Sequence, residues 1–224
     1  MAFNFEANPY VKLVETLPEL IILPSKGSLS DQDLVRVKQI MASYKRVYFE
    51  IGSGSGEHLV ERARRDPEGL YIGSEIRFKR IYKTAEKALS INLKNILMIQ
   101  VSASKLADIL PKESFHGLYV LFPDPWSKRK WRKHRILSAP NLKRFYDLLS
   151  SDGFIHYKTD AKEYFEETIK LAQSIDLFEP IELSFDLVKS AFENQNVLSE
   201  FEKLFRYQDL PIFYSKLQKK RKNP

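Results

Sequence analysis

The stretch RVYFEIGSGSG, Arg46 to Gly56, decides the fold. Its first six residues, rich in β-branched and aromatic side chains, read as a strand, and they run directly into Gly52, Gly54 and Gly56. Glycine permits the tight turn and lets a ligand approach the backbone, while a helix expected over 56–66 offers its N-terminus at the same place. Outward from this unit, further strands are expected at 70–76, 95–103, 117–122 and 153–159. Helices are expected at 77–91, 104–110, 138–150 and 160–174. Strands that are apolar on both sides and alternate with helices predict an α/β fold, a mostly parallel sheet with helices on both faces. Two more strands, at 178–188 and 210–217, enclose a short helix near 198–206. The first 45 residues, punctuated by Pro9, Pro18 and Pro24, read as an irregular arm plus one helix over 31–43 with Ser30 as its cap. The expected organisation is therefore an arm, 1–45, and one domain, 46–224.

The glycine turn discriminates between ligands. A dinucleotide fingerprint needs a third glycine at position 57, where this chain has Glu57. Glu50, two residues before Gly52, sits badly with a pyrophosphate and well with a cation. S-adenosylmethionine carries an ammonium and a sulfonium and no phosphate. Glu75, 25 residues after Glu50, stands at the end of the next strand, where an acid accepts hydrogen bonds from both ribose hydroxyls.

A second stretch, LFPDPWSKRKWRKHR from Leu121 to Arg135, lies beyond the carboxyl end of a strand, where open parallel sheets bind ligands. Pro123 and Pro125 fix the backbone on either side of Asp124. Guanine presents N1–H and N2–H donors side by side, and a fixed carboxylate accepts both. Trp126 suits either stacking on a base or packing as plain core. Eight residues from Lys128 to Arg135 hold six Lys or Arg, fit to bind phosphates; the bland alternative is a solvated charged face.

Composition narrows the field. The net charge is +7 with pI near 9.3, much of the excess concentrated in 128–135 and in Lys219, Lys220, Arg221 and Lys222. That concentration favours a polyanionic partner. Cysteine is absent, which excludes disulfides, thiolate catalysis and Cys-based zinc sites. His58, His116, His134 and His156 form no pair at metal spacing, so no metal is expected. The start shows no signal peptide, and the longest apolar run, Leu20 to Leu23, is too short to span a bilayer. These features point to a cytoplasmic protein with no membrane segment.

Glu50-Ile51-Gly52-x-Gly54-x-Gly56, Ile72-Gly73-x-Glu75, Phe122-Pro123-Asp124-Pro125-Trp126-x-Lys128 and Thr159-Asp160 together resemble the bacterial tRNA (guanine-N7-)-methyltransferases. The resemblance runs from about residue 46 to 174 and weakly beyond. It implies a Rossmann-like class I S-adenosylmethionine methyltransferase fold with seven strands, acting on a guanine in the tRNA variable loop; whether as a monomer or a homodimer is left open by the sequence. It places Glu50, Gly52, Gly54, Glu75 and Ser102 in the cofactor site, with Asp124 shared with the substrate and catalytic. Lys128 and Asp160 fall on substrate-binding positions, as do Ser199 and Glu202 of a late motif in which Ser replaces the usual Thr. Lys130, Trp131, Arg132, Lys133, His134 and Arg135 fall on the RNA-contacting segment. Two positions depart from the family: Ser102-Ala103 stands where Asp-Ala is usual, and His134 replaces an Arg. Guanine N7 already carries a lone pair, so no general base is expected; Asp124 and Asp160 would orient the purine and favour its developing positive charge. Competing readings are a methyltransferase for another RNA atom, a non-catalytic RNA-binding module and, third, a nicotinamide oxidoreductase.

Overall fold

The computed structural model describes residues 8–24, 28–102, 105 and 110–221, which fall into two compact units, 1–105 and 106–224. Eight strands and seven α-helices occur among the described residues.

In the first unit, helix α1 (Pro9–Glu15) leads to strand β1 (Ile21–Ile22), α2 (Asp31–Ala42), β2 (Arg46–Ile51), α3 (Glu57–Arg65), β3 (Gly69–Ser74), α4 (Phe78–Ser90) and β4 (Ile96–Ile99). The strands stand in the order β1-β4-β3-β2, every pair parallel. Phe49, Leu70, Ile72, Leu97, Met98 and Ile99 are all buried, which is why these strands read as apolar runs rather than alternating ones. The arm is less irregular than its prolines suggested. Asn8 caps α1 by accepting from the Tyr10 N–H at 3.1 Å, with Pro9 in the first turn where its missing N–H costs nothing. Ile21 and Ile22 then pair with Met98 and Ile99, giving an eighth strand where seven were expected. Ser30 caps α2 as anticipated, in a reciprocal box with Asp33.

The second unit holds β5 (Phe115–Leu121), a 3-10 turn over Arg129–His134, α5 (Ala139–Leu148), β6 (Leu149–Thr159), α6 (Lys162–Ser174), β7 (Phe178–Ser184), α7 (Glu200–Tyr207) and β8 (Phe213–Lys219). Its strand order is β5-β6-β8-β7: β5 and β6 are parallel, and β8 runs against both of its neighbours. Strand β6 starts four residues before the expected position, because a register shift between Phe115 and Gly117 lets Leu149 pair ahead of Phe154. Strand β7 stops at Ser184, and two 3-10 turns, Leu187–Lys189 and Ala191–Gln195, replace the rest of the expected run to 188. The helix expected over 104–110 and the residue Ala103 lie outside the described residues, save Lys105 and Leu110.

Candidate active site

The glycine turn after β2 has the backbone its sequence requires. Gly52, Gly54 and Gly56 have φ of 68°, 57° and 78°, in the left-handed region that costs other residues roughly 1–2 kcal/mol. A Cβ on Gly56 would lie 2.4 Å from Thr84 Cγ2, so glycine also lets α4 close on the turn. A Cβ on Gly52 would meet nothing within 4 Å, so this face of the turn is open to a ligand.

Two acids flank it. Glu50 is buried, and its carboxylate lies 2.7 Å from His58 Nδ1 on α3. Arg62 Nε donates to His58 Nε2 at 3.2 Å, which makes Nε2 the acceptor and leaves the ring proton on Nδ1 for Glu50. His58 had no role in the sequence reading; its spacing of one helical turn from Arg62 was the available signal. Glu75 follows β3, and its Oε1 accepts from the N–H groups of Ile76 and Arg77 at 2.8 and 3.0 Å. That turn fixes the carboxylate by one oxygen and leaves Oε2 with no hydrogen bond among the described residues, as a ribose diol requires. Ser102 lies three residues beyond β4, half-buried, its carbonyl accepting from the Lys105 N–H. The open Gly52 face and the pinned Glu75 fit an adenosine-bearing cation.

In the second unit, the segment after β5 is held under backbone strain. Phe122 and Trp126, neither of them glycine, have φ of 50° and 42°, at about 1–3 kcal/mol each. Such conformations persist only where the surroundings dictate them. Upstream, the Phe122 N–H donates to Lys158 O at 2.8 Å and its ring packs on the cluster of Leu187, Ile212 and Tyr214. Downstream, Arg135 Nε donates to Pro125 O at 2.7 Å. Asp124 is exposed between these anchors. Trp126 is neither core nor free: half-buried, it packs edge-on against Trp131 at 6.1 Å and tilted against His134 at 5.5 Å.

The basic run divides into two sets. Lys128, Arg129, Lys130 and Lys133 are exposed, and the Lys128 and Lys130 ammonium groups lie 4.9 and 5.2 Å from the exposed Trp131 ring. Arg132 instead bonds Glu163 and Glu167 of α6, each at 2.5 Å. Arg135 is buried against the other oxygen of Glu167. Burial pushes the Glu167 carboxyl up, and the hydrogen bond and charge of Arg135, then the charge of Arg132, overcome it and bring it below the usual carboxylate value. Arg132 and Arg135, expected with the lysines on the RNA-contacting segment, both meet carboxylates of α6.

Glu202, expected at a substrate-binding position, is enclosed by partners. It is 0% exposed, and its Oε2 takes a 2.7 Å bond from Lys158 Nζ, itself 2% exposed. Lys158 also donates to Asn196 Oδ1 and to Val197 O, which completes its three donors. Oε1 of Glu202 accepts from Asn196 and Arg206. Burial raises the Glu202 pKa, but Lys158 first, then Asn196 and Arg206, bring it below its ordinary value. Ser199 caps α7, its hydroxyl accepting from the Glu202 N–H at 3.2 Å. Glu202 thus ties Lys158, Asn196 and Arg206 together. Asp160 follows Thr159 at the end of β6 and is half-buried. Among the described residues no cluster of His, Asp and Glu could hold a metal ion, and no helix is long and apolar enough to cross a membrane.

A glycine turn open at Gly52, a pinned acid after the next strand, and a strand running against both neighbours in the second unit place the chain among the class I S-adenosylmethionine-dependent methyltransferases. The solved 16S rRNA methyltransferase KamB shares the fold, with a TM-score of 0.63 and 15% identity over 86% of this chain and 94% of that one. Residues 44–215 match the family described as "Putative methyltransferase". The chain is 35% identical to the tRNA (guanine-N(7)-)-methyltransferase of Mycoplasma genitalium, over 75% of its own length and 81% of the relative's. It is 30% identical to a bifunctional glycosyltransferase/methyltransferase of Fusobacterium nucleatum, covering 88% of itself but only 30% of that longer protein. The chain belongs to the tRNA (guanine-N(7)-)-methyltransferase family.

Proposed function

We propose that the chain methylates N7 of a guanine in the variable loop of tRNA, in the cytoplasm. The observation that carries this reading is the segment after β5: an exposed carboxylate, Asp124, held between two strained residues and followed at once by exposed Lys128, Arg129, Lys130 and Lys133 around Trp131. An immobile acid suits the N1–H and N2–H edge of guanine, and the cations suit the phosphates of structured RNA.

S-adenosylmethionine supplies an electrophilic methyl group on a sulfonium. In the first unit, Glu50 and Glu75 would hold its charged and ribose ends beside the open face of Gly52. In the second, Asp124 and Asp160 would orient the purine, whose N7 lone pair needs no base to free it. The two carboxylates would also favour the positive charge that the methylated purine carries.

Incubation with methyl-labelled cofactor and unmodified tRNA, followed by aniline cleavage, tests the reading. Label at an aniline-sensitive variable-loop guanine is expected. Label on another atom, or none, would sink it.

A further inference from the structure

We propose that Arg135 is a positioning residue for methyl transfer: it fixes the Pro123–Trp126 segment, and through it Asp124, and does not hold an RNA phosphate. The inference rests on the guanine-N7 reading above.

The guanidinium of Arg135 is held within its own unit by two hydrogen bonds and a ring contact. Its side chain is 8% exposed. Nε donates to Pro125 O at 2.7 Å, Nη1 is bonded to the Glu167 carboxylate, and Cζ lies 4.4 Å from the centre of the Tyr164 ring. Tyr164 is itself held, since its hydroxyl accepts from the Leu137 N–H at 3.0 Å. A phosphate seeking this arginine would have to displace Glu167 and settle beside its charge. Arg132 and Arg135 together face Glu163 and Glu167, so this quartet has no net charge to offer an RNA.

The accepting carbonyl is the informative atom. Pro125 O belongs to the peptide plane shared with Trp126, the residue with φ of 42°. Asp124 precedes that plane and is tied to it through the proline ring. Fixing this one oxygen therefore restrains the backbone that carries both the carboxylate before it and the indole after it. Only a planar fork can do so here, with one N–H on a carbonyl, another on a carboxylate and an aromatic ring under the plane. A lysine ammonium has the charge without the plane.

Three variants, Arg135→Met, Arg135→Lys and Glu167→Gln, separate positioning from phosphate binding. The readouts are single-turnover methyl transfer, tRNA affinity against salt, cofactor affinity by calorimetry, and acrylamide quenching of Trp126 in a Trp131→Phe background. That background leaves Trp126 as the sole tryptophan. Transfer is expected to slow by about tenfold or more in both Arg135 variants, because a misplacement of about 1 Å can cost about a hundredfold. Glu167→Gln is expected to slow it less. Quenching should rise in all three, with tRNA affinity, its salt slope and cofactor affinity unchanged. Weaker tRNA binding in Arg135→Met that Arg135→Lys restores, or tighter binding in Glu167→Gln, would make Arg135 a phosphate contact and overturn the proposal. Unchanged quenching and transfer would overturn it too. If the wild-type protein fails to methylate guanine, the guanine-N7 reading fails, and the quenching of Trp126 still decides whether Arg135 holds the segment.

Discussion

Replacing Glu202 with glutamine would leave the Lys158 ammonium in a place that water does not reach. Both side chains are enclosed, at 2% and 0% exposure, and they meet at 2.7 Å. Glutamine keeps the shape, so no cavity complicates the outcome. It cannot keep the bonds. One carboxylate oxygen faces Lys158 and the other faces donors from Asn196 and Arg206, so the new amide NH2 must oppose a donor whichever way it turns. Removing one partner of a buried pair costs about 3–5 kcal/mol. For a chain of this length each kcal/mol lowers Tm by about 2–4 °C, so a fall of about 6–20 °C is expected by calorimetry. The paired replacement Lys158→Met with Glu202→Leu should recover most of it, because no charge is then stranded and Arg206 retains Glu193 at 2.7 Å. The sign with pH follows from the lowered pKa of Glu202. Its contribution is complete above the unfolded carboxylate value and is lost as pH falls through the lower folded one. A Tm change under about 3 °C in Glu202→Gln would refute the claim that this pair anchors α7.

Asp124→Asn should cut turnover by about 10- to 100-fold, the worth of one charge-assisted hydrogen bond, with tRNA affinity kept; near-normal turnover would remove Asp124 from the site. Lys130→Ala and Lys133→Ala should each lower the log–log salt slope of tRNA binding by about 0.7–0.9, and an unaltered slope would mark these lysines as a merely solvated face. His58→Leu should weaken S-adenosylmethionine binding about tenfold by releasing Glu50, whereas His58→Asn, with a donor near the Nδ1 position, should keep most of it. Calorimetric titration checks this, and equal affinity in the leucine variant would show that Glu50 needs no such support.

The strands of the sheet were legible because burial on both faces leaves apolar runs bounded by glycine and polar turns. What escaped was short or depended on distant partners. Ile21 and Ile22 form a strand only because β4 offers an open edge to two residues lying between Pro18 and Pro24. Helix α1 could have been read, since Asn8 followed by Pro9 is a cap and first-turn pair. The glycine turn, Glu50, Glu75 and the exposure of Asp124 follow from local sequence alone. The ion pairs of the basic run were not legible, because a string of cations does not say which of them meet carboxylates about thirty residues later. Glu163 and Glu167, four apart on one helix, were the clue that Arg132 and Arg135 had partners. Lys158 gave a similar hint, a lysine beside Tyr157 at the buried end of its strand, but its counter-ion lies on a helix, forty-four residues further on.

That separation has a consequence during synthesis. Strand β6 leaves the ribosome with Lys158 near its end well before Glu202 exists. At about 5–20 residues per second, the forty-four residues from Thr159 to Glu202 take roughly 2–9 s to make. During that interval a bare ammonium stands where the finished protein tolerates only a neutralised one, so β6 cannot close over its final neighbours early. Strand β8, which lies between β6 and β7, comes later still, after α7 has delivered the carboxylate. The order of translation thus favours β6 waiting, charged and open, until the residue that neutralises it arrives.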